Sequence, residues 1–156
     1  MTKSHEFRVR TTLGVAALVM LVAFVWVGFT STANGNQNRG SNESEVARGK
    51  YLVEEVAKCS ECHTPRDAQG RLDAQAWLRG APIWIMPVRP IPNWADTVPP
   101  LAGLPSLTDA QVARVLEKGT GPEGEVLRPP MHIYHMHHAD AQAIIAYLKS
   151  LPAASQ

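Results

Sequence analysis

At 156 residues, with 45% hydrophobic side chains and a formal charge of +1, the chain is long enough for one compact domain and an appendage. Its charge is unevenly placed: Lys3, Arg8 and Arg10 oppose Glu6 in residues 1–30, which leaves 12 of the 15 basic and 13 of the 14 acidic side chains downstream, a net of −1. A near-neutral domain lacks the basic face that nucleic-acid binding requires, so no nucleic-acid partner is expected.

Residues 1–10 read as a short cytoplasmic N-terminus. From Thr11 to Thr30 the run TTLGVAALVMLVAFVWVGFT carries no charge, and twenty residues rising about 1.5 Å each span the ~30 Å hydrocarbon core of a bilayer. Residues 11–30 are therefore expected to form a single transmembrane helix. Basic residues precede it and an acid-bearing polar stretch follows, which puts the chain beyond Ser31 outside the cytoplasm. A cleaved secretory signal is the rival, since Ser31-Thr32-Ala33 can serve as a processing site. The apolar run Leu13 to Phe29 is 17 residues, longer than the roughly 7 to 15 of a signal core, and favours a retained anchor. On either reading the following domain is exported, to the periplasmic or other extracytoplasmic side of the cytoplasmic membrane.

Residues 31–45 (STANGNQNRGSNESE) are rich in Asn, Ser and Gly and read as a flexible tether with an r.m.s. span of roughly 20 Å. The domain is expected over residues 46–152, with 153–156 as a C-terminal tail. Glu45 to Cys62 places Val46, Ala47, Tyr51, Leu52, Val53, Val56 and Ala57 at helical spacing, which predicts a first helix running into Cys59-Ser60-Glu61-Cys62-His63. Gly49 on this helix is a candidate for a close crossing by another.

That last stretch is a C-x-x-C-H pattern. Two cysteines three apart lie on one face of a helical turn, where their thiols can add to the two vinyl groups of a haem, and His63 follows as the proximal iron ligand. A thioredoxin-like dithiol would sit at the end of a strand in a βαβ context, which Glu54-Glu55-Val56-Ala57-Lys58 does not resemble. Half a zinc site fails on arithmetic, because the sequence holds only two cysteines.

Seven of the twelve prolines fall between Ala81 and Pro105, together with Trp84 and Trp94. Their locked φ angles and missing N–H donors exclude a long helix or a central strand. Ile83, Trp84, Ile85, Met86 and Val88 are too apolar for a solvated linker, so the segment reads as a stiff loop against something flat and apolar, such as a haem edge. Arg66, Arg79, Arg89, Trp77, Trp84 and Trp94 are candidate partners of haem propionates or of that edge. Leu107 to Gly119 is a helix with a Thr108/Gln111 capping box, a Val112, Val115, Leu116 stripe and Gly119 at its end. Ala139 to Leu151 is another, stopped by Pro152 but lacking a good N-cap, since His137 and His138 stand where Ser, Thr or Asp is usual.

A sixth iron ligand is sought among Met86, Met131 and Met136. Methionine sulfur favours reduced iron, which suits an electron carrier. Met131 follows Arg128-Pro129-Pro130, an extended lead-in that keeps its thioether out of any helix, and it ranks above Met136 and above Met86 in the stiff loop. Four of the six histidines, His132, His135, His137 and His138, lie in the same run, so bis-histidine ligation and a peripheral Zn or Cu site are alternatives.

With these residues in view the chain resembles the class I, monohaem cytochrome c family over about residues 45 to 152. It is most similar to the cytochrome c domains associated with bacterial membrane dehydrogenases and oxidases. The resemblance rests on Gly49-Lys50-Tyr51-Leu52 ahead of Cys59-x-x-Cys62-His63-Thr64-Pro65, on Leu101-Ala102-Gly103-Leu104, on Pro129-Pro130-Met131, and on Asp140 ahead of Ala146-Tyr147-Leu148. It implies an all-α fold of a few short helices around one covalent haem c. The first and last helices would cross near Gly49, Tyr147 and Leu148 would pack on the first helix, and Met131 would be the distal ligand. Where relatives commonly have proline after the ligand methionine and a Ser or Thr helix cap, this chain has His132 and His137.

The expected function is electron transfer rather than catalysis of its own: a membrane-anchored cytochrome relaying single electrons from a quinol-oxidising complex or dehydrogenase to a terminal oxidase or other acceptor. Alternatives are a permanent haem subunit of a larger membrane oxidoreductase, and a haem enzyme or gas sensor with a labile sixth ligand.

Overall fold

The computed structural model describes residues 40–153. The helix expected over 11–30, the tether up to residue 39 and the tail from 154 lie outside the described residues. Among those described, no helix is long and apolar enough to cross a membrane. Residues 42–153 belong to one compact unit.

Among the described residues, 40–51 are helical (α1), so residues 40–45, expected in the tether, belong to this helix. The helix does not continue into the cysteine motif as expected. It widens into one π-helical turn, Leu52–Val56, whose Ala57 N–H bonds Leu52 O. Lys58 then turns left-handed with φ 52. A separate four-residue helix, α2 (Ser60–His63), carries the rest of the motif. The irregularity lets the adjacent Leu52 and Val53 both stay in the core.

The all-α expectation also needs correction. Within the proline-rich stretch, β1 (Ala81–Pro82) and β2 (Thr97–Val98) pair antiparallel, Ala81 with Val98 and Pro82 with Thr97. The ladder is two residues per strand because the surrounding prolines withhold further donors. A short 3₁₀ turn, Ala74–Ala76, precedes it, capped by Asp73.

Helix α3 (Asp109–Lys118) starts at the expected capping box, Thr108 and Gln111 bonding each other's backbone N–H, and ends on Gly119 with φ 66. Helix α4 (His138–Ser150) begins after His137, whose side chain makes no capping bond. The core sits between α1, α3 and α4: Val53, Ala141, Ala143, Ile144 and Leu148 are almost wholly buried, with Leu52, Val112, Leu116, Ile145 and Tyr147 around them. At Gly49 the α1–α4 crossing is as close as the resemblance implied. A Cβ there would strike the Ala143 carbonyl and lie 2.7 Å from Tyr147 Cβ. The loops join this frame through backbone bonds, Gly103 N–H to Leu148 O at 2.8 Å and Met136 N–H to Leu116 O at 2.9 Å.

Candidate haem site

The break at Lys58 presents Cys59 and Cys62 on the short α2, both as free thiols. Burial pushes the Cys59 thiol up to about 11, and burial followed by the Glu61 charge raises that of Cys62. A redox dithiol needs the opposite, a thiolate stabilised near neutrality. Neither thiol has that stabilisation, so the pair lacks the mark of a redox dithiol.

His63 is 5% exposed, and its Nδ1 lies 2.9 Å from the Pro99 carbonyl oxygen. A carbonyl only accepts, so Nδ1 carries the ring proton. Burial depresses the His63 pKa, against an opposing pull from the Pro99 carbonyl, and favours the neutral ring. Neutral and protonated at Nδ1, the imidazole has its lone pair on Nε2, the state in which histidine ligates a metal, with the carbonyl fixing tautomer and ring orientation. Proline-rich sequence thus supplies the support: Pro99 follows β2, and Gly80 N–H, just before β1, returns to His63 O at 2.9 Å.

Glu61, between the cysteines, is wired to the same loop. Trp84 Nε1 donates to Glu61 O at 2.9 Å, Arg66 pairs with the Glu61 carboxylate at 2.7 Å, and the Arg66 guanidinium lies 4.2 Å from the Trp84 ring centroid. The loop is less covered than its composition predicts. Trp84 is 55% exposed, Met86 81% and Val88 fully so.

Two buried polar atoms lack a partner among the described residues, Arg66 Nε and Trp94 Nε1. Indole N–H is a donor only, and buried donors are rarely left unbonded. Trp94 sits beside the segment leading to Met131: Ala95 N–H bonds Pro129 O at 2.7 Å and Arg128 Nη2 bonds Trp94 O at 3.0 Å. An acceptor such as a haem propionate would satisfy the indole. The orphaned donors, the two cysteines at one short helical turn and the Nε2-free histidine together fit a covalently bound haem.

Between α3 and α4, Met131 and Met136 are both half-buried. Met136 packs against the core cluster, whereas Met131 does not belong to it. The histidines are dispersed. His132 meets the Tyr134 ring edge-on at 4.8 Å, His138 Nδ1 lies 2.8 Å from Glu117, and among the described residues no group of three or more His, Cys, Asp or Glu is placed to hold a metal ion.

Arg66 and Trp84, named from the sequence, thus meet the motif through Glu61, Trp94 lies instead beside the Arg128–Pro129 segment, and Trp77 packs against the core. Arg79 and Arg89 are exposed, and nothing in their surroundings ties them to the site. The Pro99 carbonyl and Tyr134, which bonds the Ala57 carbonyl, were not legible, since a backbone acceptor has no residue type.

Residues 46–152 match the family model for cytochrome c. The chain is 30% identical over 157 residues to the fructose dehydrogenase cytochrome subunit of Gluconobacter japonicus, covering 96% of this chain and 29% of that protein. It is 33% identical over 122 residues to a diheme cytochrome c-type protein of Cereibacter sphaeroides, covering 73% of this chain and 38% of the relative. To the cytochrome c subunit of a quinone alcohol dehydrogenase of Gluconobacter oxydans it is 31% identical over 139 residues, 80% of this chain and 28% of that subunit. The chain spans about a third of the length of these curated relatives.

Proposed function

The chain belongs to the cytochrome c family, and from that premise we propose that it is a membrane-tethered monohaem cytochrome passing single electrons outside the cytoplasmic membrane. The family's domain carries covalently bound haem c, and the single C-x-x-C-H with no further cysteine supports one haem here. In this reading Cys59 and Cys62 hold it as thioethers, His63 is the proximal ligand and Met131 the distal one, with Met136 the alternative. The iron of haem c, when bound, cycles between ferrous and ferric states.

The chain's own residues do the holding. Pro99 O orients His63, burial keeps that ring neutral, and Trp94 Nε1 offers a donor to a propionate. A haem held by His63 and Met131 would have both protein ligands in place and would serve electron transfer rather than substrate binding. The observation that carries the reading is the buried His63, proton committed to Pro99, directly after two cysteines on one helical turn. Its test is haem staining on a denaturing gel of the exported protein: staining is expected in the unsubstituted chain, and its persistence in the Cys59→Ala/Cys62→Ala double variant would sink the reading.

The donor is a quinol-oxidising complex or a dehydrogenase, the acceptor a terminal oxidase or other redox protein. Permanent residence in a larger oxidoreductase is the second reading. It is favoured by the relatives named as dehydrogenase cytochrome subunits and by Trp84, Met86, Val88 and Ile91, exposed on the loop tied to Glu61. Detergent extraction separates the two. A free cytochrome supports the carrier, and a stoichiometric complex with a catalytic subunit supports the second reading.

A further inference from the structure

Between Met131 and the start of α4 the chain has no regular structure. Backbone bonds pin its two ends, Met131 N–H to Arg128 O at 3.1 Å and Met136 N–H to Leu116 O at 2.9 Å. For residues 132–135 the one hydrogen bond among the described residues comes from Tyr134, whose hydroxyl donates to the Ala57 carbonyl at 3.0 Å across 77 positions of sequence. Gly119 makes room for this path, since a Cβ there would strike the Ile133 side chain and lie 3.1 Å from Tyr134 O.

The acceptor is as specific as the donor. Ala57 closes the π turn, and the left-handed Lys58 carries the chain away, so among the described residues no backbone N–H bonds the Ala57 oxygen. It is a helix-terminal carbonyl in need of an outside partner. Two residues later comes Cys59. The Tyr134 ring packs against the core close to both cysteines.

We propose that Tyr134 is a positioning residue for the distal side: by bonding the carbonyl that ends the helix before Cys59, it sets the spacing between the attachment turn and the Met131–Met136 span, and so keeps the distal sulfur on the iron. This rests on the haem reading above. Without the bond, residues 132–135 are held by packing alone, and methionine is displaced more easily by a competing ligand.

The test uses the full-length holoprotein and imidazole, which competes with methionine for ferric iron. Tyr134→Phe keeps the ring and removes only the hydroxyl. Haem staining should be unchanged, and the apparent affinity for imidazole should rise about fivefold, the equilibrium equivalent of one neutral hydrogen bond. Tyr147→Phe, which removes a hydroxyl bonded to Glu54, controls for a general loss of stability and should leave imidazole affinity within twofold of the unsubstituted protein. Equal affinities in all three proteins overturn the inference, as does an equal rise in both variants. Absence of the weak far-red band of a Met–Fe(III) bond from the unsubstituted ferric protein overturns the methionine reading itself, and the inference with it.

Discussion

The α1–α4 crossing and the loops facing the cysteine motif are held together in different ways. At the crossing, Gly49 lets the backbones touch, and Ala143, Ile144, Tyr147 and Leu148 meet Leu52 and Val53 in a core that excludes water. Many weak contacts share that load. In the loops, single side-chain hydrogen bonds to carbonyls tie one segment to another: His63 to Pro99, Trp84 to Glu61, Tyr134 to Ala57, Arg128 to Asn93 and Trp94. The frame can therefore lose stability without changing what surrounds a haem, and the loops can change those surroundings at little cost in stability.

The largest effects should come from the motif and its opposite ligand. Loss of both Cys59 and Cys62 removes covalent haem altogether. Met131→Ala should abolish the far-red Met–Fe(III) band while haem staining persists. Met136→Ala should keep the band and lower the unfolding free energy by roughly 2 kcal/mol, as expected for truncating a core-packed methionine. Exchange of those two outcomes would make Met136 the ligand and move it from frame to site.

Gly49→Ala sharpens the comparison from the other side. The added methyl must displace the Ala143 carbonyl or Tyr147, and overpacking of this kind costs about 1–3 kcal/mol or more. Urea unfolding should show that loss with haem spectra and imidazole affinity unchanged. A spectral change would mean that the crossing also shapes the site.

The frame was readable because its signals belong to side chains. Thr108, Gln111 and Gly119 bracket α3 as their chemistry requires, the missing cap at His137 is missing, and Gly49 marks the crossing. The cysteine motif was equally plain. The π turn at Leu52–Val56 was not, because the apolar pattern of α1 fits an unbroken helix and the break depends on Lys58 adopting a left-handed backbone that lysine does not advertise. Nor was the two-stranded ladder, whose strands are too short to show a period. The support of the site was hidden for a related reason. Its acceptors are backbone carbonyls, present at every residue, and only the fold selects Pro99 and Ala57.

The smallest predicted effect lies where a hydrogen bond serves the frame rather than the site. Tyr147 donates to Glu54 at 2.5 Å, and Lys50 pairs with the same carboxylate, which is 17% exposed. Burial alone would raise the Glu54 pKa, but the bonds from Lys50 and Tyr147 outweigh it and hold the group below its ordinary 4.5. A carboxylate whose folded pKa is depressed contributes stability that is fully present above the unfolded pKa and is lost as pH falls through the folded one. Tyr147→Phe removes one of the two bonds and lets the folded pKa rise toward the unfolded value. At neutral pH the variant should be less stable by about 1 kcal/mol. On acidification below the ordinary value the two proteins should converge, because protonation of Glu54 removes from the unsubstituted chain most of what the variant has already lost. Urea midpoints measured from neutral pH downward check this. A gap that stays constant into acid would show that the hydroxyl stabilises the crossing by packing, independently of the Glu54 charge.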